Sequence, residues 1–226
     1  MISLGIRLRA AASFVRGCGV LADIGTDHAY LPVFLIQSGL ASHVIASDIG
    51  EGPLGNAKKT VEAYGLTDAV ELRLSNGLQQ YMPNEVNEIL ICGMGGNLIE
   101  EILTAAPWVK SPNMHLVLQP MTHAEDVRRY LCENGFEIEK ELAVADGGRV
   151  YLQLSALWTG QKKNYPVGYY YFGSLLHQND AAQTIVKKQL KRVKTRLSSL
   201  MKVGRNPEEQ ALLSLVLEYY EKEMTL

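Results

Sequence analysis

The spacing of the apolar runs constrains this chain more than any other feature. Runs rich in Val, Ile and Leu recur at about 20–24, 43–48, 70–74, 87–92 and 114–119, separated by stretches with helical periodicity such as 53–64 and 123–134. Strands separated by helix-length connections pair in parallel, because a parallel neighbour is reached only by a crossover and not by a tight turn. The rhythm then breaks. The runs 136–144 and 150–158 are joined through Asp146-Gly147-Gly148, which leaves no room for a helix, so these two form an antiparallel hairpin. Five alternating units finished by a hairpin give a seven-stranded α/β sheet.

With 226 residues, 47% of them hydrophobic, the chain has material for one sizeable core and an appendage. No apolar run is long enough to cross a bilayer, and Arg7, Arg9 and Arg16 interrupt the amino-terminal segment where a secretory signal needs an unbroken apolar block. A cytoplasmic protein without membrane partners is expected. Cys18, Cys92 and Cys132 are far apart and lack CxxC or Cys/His spacing, so neither a disulfide framework nor a metal site is expected.

The formal charge of −2 hides a division near residue 160. Residues 1–160 carry 11 Lys and Arg against 18 Asp and Glu, whereas 161–226 carry 11 against 6. After a polar linker, Ala182, Val186, Leu190, Val193, Leu197 and Leu200 repeat at four- and three-residue steps, the stripe of a packed helix. Gly204 ends it, Asn206 and Pro207 start a second helix, and Leu212, Val216 and Tyr219 return along it. Two domains are expected: 1–160, and a coiled-coil helical hairpin over 161–226. Lys187, Lys188, Lys191, Arg192, Lys194, Arg196, Lys202 and Arg205 lie on the first helix and its end, with no acid between 181 and 205. A helix so unbalanced repels itself unless an anion is near, and a nucleic-acid backbone fits. Tyr169-Tyr170-Tyr171-Phe172 is read mainly as glue between hairpin and sheet. A hairpin of this kind packs on its own domain or on a partner; a monomer is expected.

The chemistry is expected at the carboxyl ends of the strands, where open α/β sheets bind ligands. Gly25 ends the first run and allows close backbone approach, and Asp48 ends the second with a carboxylate suited to ribose hydroxyls. A pyrophosphate turn needs three spaced glycines; here Gly25 stands alone and Asp27 would repel a diphosphate. A phosphate-free nucleoside cofactor, S-adenosylmethionine, fits better than NAD. His28 belongs to the cofactor wall, and Asn76-Gly77 lies where an adenine would reach. Gly93-Met94-Gly95-Gly96 strips side chains from the wall after the fourth strand, so that a flat base can approach. An Asn or Asp with two prolines and an aromatic, usual there in enzymes that methylate exocyclic amines, is missing, which favours a ring nitrogen as acceptor. The seven strands and hairpin resemble the Rossmann-like class I methyltransferase fold.

Three segments carry a closer resemblance. Ala22-Asp23-Ile24-Gly25-Thr26-Asp27-His28-Ala29-Tyr30-Leu31-Pro32, Gly93-Met94-Gly95-Gly96 and Leu118-Gln119-Pro120 resemble the TrmK family of bacterial tRNA methyltransferases. The resemblance implies methylation of N1 of adenine 22 in tRNA by S-adenosylmethionine, with a Rossmann-like catalytic domain and a carboxyl-terminal coiled coil. It implies cofactor contacts at Gly25, Asp27, His28, Asp48, Ile49, Asn76, Gly77, Gly93 and Met94, with Arg7 closing over them. Asp27 is the expected catalytic residue, accepting a hydrogen bond from the target base. A methyltransferase for another RNA or a small molecule, an NAD-dependent oxidoreductase and a non-enzymatic RNA-binding protein with a vestigial pocket are the competing readings.

Overall fold

The computed structural model describes residues 1–112 and 114–225 and, at Cys18, the backbone alone, so the Cys18 thiol lies outside the described groups. Seven strands, β1 (Cys18–Ile24), β2 (Ala41–Asp48), β3 (Val70–Leu74), β4 (Glu88–Met94), β5 (His115–Pro120), β6 (Phe136–Asp146) and β7 (Arg149–Trp158), form one sheet in the order β3-β2-β1-β4-β5-β7-β6. The first five are parallel; β7 runs antiparallel to both β5 and β6. The expected hairpin is present because Gly147 and Gly148 take φ of +56° and +73°, which residues with a Cβ resist. The order reverses between β1 and β4, the switch point at which the loops diverge and leave a crevice.

Helices cover both faces. α1 (Ile6–Ala12), α2 (Tyr30–Gln37) and α3 (Glu51–Ala63) bury their apolar sides in one cluster with Leu21, Val44 and Leu90. α4 (Gly96–Ala105), α5 (Ala124–Glu133), α6 (Val167–Phe172), α7 (Asp180–Val203) and α8 (Pro207–Met224) close the other face. The long helices start and stop where local chemistry puts them. Asn179 and Asn206 accept hydrogen bonds from the backbone N–H of Ala182 and Glu209, and Gly204 takes the left-handed conformation at the end of α7.

The carboxyl-terminal helices share a core with the sheet. Phe172, Ala182, Val186, Val193 and Leu200 fall in the same buried cluster as Ile91, Leu118 and Leu154. Phe172 is fully buried, which is the glue expected of the aromatic run. A buried ion pair holds the join. Arg128 Nε donates to Glu141 Oε1 at 2.6 Å, Arg128 Nη1 donates to the Tyr170 carbonyl at 2.9 Å, and Ser174 N–H donates to Glu141 Oε2. A Cβ on Gly173 would lie 2.2 Å from Glu141 Oε2, so that residue, at φ +56°, has to be glycine.

Candidate functional site

The turn after β1 is wound tightly. Gly25, Asp27 and Ala29 all have positive φ (78°, 49° and 54°), and the buried Ala29 has no side-chain compensation for that conformation. The backbone N–H groups of Gly25 and Thr26 donate to the Ser47 carbonyl at 2.8 and 2.9 Å, which fixes the turn beside the end of β2. The carboxylate of Asp48 lies there. Its Oδ1 accepts from Gly50 N–H at 2.9 Å, leaving Oδ2 for a ligand hydroxyl.

Beside this turn opens a cavity of about 210 Å³ lined by Arg7, Asp23, Gly25, Asp27, His28 and Cys92, among others. Asp23 is its unforeseen member. It is almost fully buried in β1, and burial raises its carboxyl to about 6; the neighbouring Thr26 offsets part of that rise and the charge of Asp48 adds to it. A core strand with a carboxylate between Ala22 and Ile24 is an anomaly visible in the sequence itself, since a buried acid without a cation is costly. Burial likewise pushes the Cys92 thiol up, away from the thiolate form.

Arg7 roofs the cavity and is held from three strands. Its Nη1 donates to Gln119 Oε1 at 2.7 Å, its N–H donates to Asp146 Oδ2 at 3.0 Å, and its carbonyl accepts from Gln153 Nε2 at 3.2 Å. Gln119 is fully buried and its Nε2 has no partner among the described residues. Asp27 and His28 stand on the rim 3.5 Å apart, with 61% and 44% of their side chains exposed, and the His28 ring stacks on Tyr30.

The remaining expected residues line the strand ends outside this cavity. Ile49 and Asn76 are exposed. Gly77, at φ +56°, is buried, and a Cβ there would meet Ile102 at 2.8 Å. Gly93, at φ +84°, falls where the β4–β5 register shifts, a bulge that turns the chain at the mouth. Met94 reaches back to the first turn, its Cε 2.3 Å from where a Cβ on Gly25 would be. Gly96 is different from its neighbours: a Cβ there would strike the His123 and Thr122 carbonyls, so its smallness serves packing of the chain against itself.

The eight cations divide. Arg192 pairs with Glu125 of α5 and Arg196 pairs with Glu209 of α8 at 2.7 Å, so the acids missing from the sequence around them are supplied by other elements. Lys187, Lys188, Lys191, Lys194, Lys202 and Arg205 have no acidic partner among the described residues. His123, Glu125 and Asp126 bring ligand atoms within 4.8 Å of one another, but Glu125 is already occupied by Arg192 and Gln189. No helix among the described residues is long and apolar enough to cross a membrane.

The chemistry of this site fits a cationic nucleoside carrying an amino-acid limb. The buried Asp23 calls for an ammonium group, Arg7 and the free Gln119 amide suit a carboxylate, and Asp48 offers an oxygen to a ribose.

Known proteins resemble this chain in sequence and fold. A family model described as a methyltransferase domain matches residues 4–154. A Bacillus subtilis tRNA (adenine(22)-N(1))-methyltransferase is 36% identical over 155 residues, which span 69% of this chain and 65% of that protein. The crystal structure of the B. subtilis M1A22 tRNA methyltransferase TrmK superposes with a TM-score of 0.85 at 27% identity, covering 98% of this chain and 97% of that one. Streptococcus pneumoniae Sp1610, solved with S-adenosyl-L-methionine, gives 0.79 at 31% identity over 96% of this chain and 100% of that one.

Proposed function

This chain belongs to the methyltransferase-domain family, and we propose that it methylates N1 of adenine 22 in tRNA, in the cytoplasm, using S-adenosylmethionine. The observation that carries the cofactor half is the buried Asp23, without a cationic partner among the described residues, lining the same cavity as Arg7 and close enough to Asp48 to feel its charge. The homology to tRNA (adenine(22)-N(1))-methyltransferase carries the substrate half.

Asp23 holds the ammonium group of the cofactor, Arg7 its carboxylate and Asp48 its ribose, while Asn76, Gly77 and Ile49 border the adenine. When bound, the cofactor supplies an electrophilic methyl group on a sulfonium. Adenine N1 has a free lone pair at neutral pH, so no residue needs to act as a base, and alignment supplies most of the acceleration. Asp27, on the exposed rim, accepts a hydrogen bond from the amino group of the incoming base and stabilises the positive charge that the base acquires. The bare backbone of Gly93 and Gly95 lets the flat ring approach. Because N1 lies on the pairing edge, the target is turned out of its stack first. The six unpaired cations along α7 and its end hold the RNA backbone, giving affinity and salt dependence and no chemistry.

Radiolabelled methyl transfer to unmodified tRNA transcripts tests this reading. Incorporation that disappears when adenine 22 is changed to guanine is the expected result. Incorporation that survives the change, or its absence from every tRNA, refutes it.

A further inference from the structure

A second cleft, of about 300 Å³, lies between the β5–α5 loop and α7, and none of its lining residues borders the Asp23 cavity. Part of its floor is apolar, with Leu152, Tyr171 and Ile185, beside the buried Arg128 and Glu125, and its exposed rim carries His123, Lys188 and Arg192. The loop that lines this cleft is tied to the turn at 93–96 that ends β4. Met121 N–H donates to the Met94 carbonyl and Gly96 N–H donates to the Thr122 carbonyl, both at 2.8 Å. This loop is strained, since His123 has φ +52° and does not cap α5 with its side chain. Of the six unpaired cations, Lys188 alone lines the cleft.

An apolar floor under a cationic rim matches a nucleotide, whose base is flat and apolar on its faces and whose phosphate is anionic. A polyanion gripped through charge alone would have no use for the floor. Continuity with the turn at 93–96, against which the target base is placed, selects which nucleotide. We propose that the cleft seats the nucleotide next to the methylated adenine in the RNA chain, its base on Leu152, Tyr171 and Ile185 and its phosphate on Lys188. Arg192 is already neutralised by Glu125, and that pairing keeps the buried carboxylate from repelling the phosphate. Holding the neighbour fixes the strand while the target leaves its stack, which is where a flipping enzyme needs grip. The inference rests on the tRNA methyltransferase reading above.

Three full-length variants and modified transcripts test it by kcat/KM for methyl transfer, with S-adenosylmethionine affinity measured in parallel. Lys188→Glu, on an exposed position, is expected to lower kcat/KM for tRNA at least tenfold with cofactor affinity unchanged. Lys187→Glu makes the same charge change one residue away, outside the cleft, and is expected to cost at least threefold less. An abasic site on one side of the target adenine is expected to cost the wild type tenfold or more, and to cost little further in Ile185→Trp, which fills the cleft. Equal losses from Lys187→Glu and Lys188→Glu overturn the proposal, as do abasic sites on both sides without effect in the wild type. Absence of methyl transfer by the wild type on intact tRNA would instead defeat the functional reading.

Discussion

Cofactor affinity should fall on acidification through one carboxyl group, that of Asp23. Burial raises this group to about 6, well above the 3.8 of a solvated Asp. A raised carboxyl binds its proton more tightly in the folded state than in the unfolded one. Its contribution to stability is therefore full below pH 3.8 and is lost as pH rises through 6, so the ligand-free protein is strained by this residue at neutral pH. An ammonium group relieves the strain by pairing with the ionised form. With a group titrating near 6, almost all of it is ionised at pH 7 and only about a tenth at pH 5, so the dissociation constant should rise about tenfold between those two values. Isothermal titration calorimetry with S-adenosylmethionine at both pH values, in buffers of different ionisation enthalpy, measures the affinity and the protons released. Asp23→Asn should bind more weakly at pH 7 and lose the pH dependence. An affinity that is flat from pH 7 to 5 in the wild type, or a slope unchanged in Asp23→Asn, would refute the assignment.

Asp27→Asn keeps the shape of the rim and removes the charge; because the side chain is largely exposed, kcat should fall by about tenfold, at the low end for a charged hydrogen bond, and by more than any loss of cofactor affinity. Full turnover in that variant would exclude Asp27 from charge stabilisation. Gly173→Ala forces a Cβ onto Glu141 and Arg128 at a φ that disfavours it, and should cost about 3 kcal/mol, read as a melting temperature lower by roughly 6–12 °C. A melting point within a degree or two of the wild type would show that the join between α6 and the sheet is slack. Binding of tRNA should weaken with salt with a log–log slope no steeper than about −5, the limit for six cations, rather than the −7 that eight would allow. Filter binding between 50 and 300 mM salt decides, and a slope near −1 would remove the α7 cations from the interface.

Much of this protein is local chemistry and could be read along the chain. Alternating runs with crossover-length spacers, the Asp146-Gly147-Gly148 turn, Gly204 and Asn206 each act within a few residues, so the sheet, the hairpin and the two long helices were legible. So was the pairing of the lone Gly25 with Asp48, because each closes its own strand. What brings the two side by side is the parallel pairing of β1 with β2 and the hydrogen bonds from the β1 turn to the Ser47 carbonyl, which belong to the fold. The partners of the eight cations could not be read along the chain for the same reason. Its balancing acids, Glu125 and Glu209, lie on other elements, and helical periodicity carries no record of what a distant helix presents. Tertiary structure alone decided that Arg7 is tied to Gln119 and Asp146, residues more than a hundred positions away, and that Asp23 is stripped of water. Strand and turn propensities depend on neighbours in the chain, whereas desolvation and ion pairing depend on neighbours in space, and only folding brings those together.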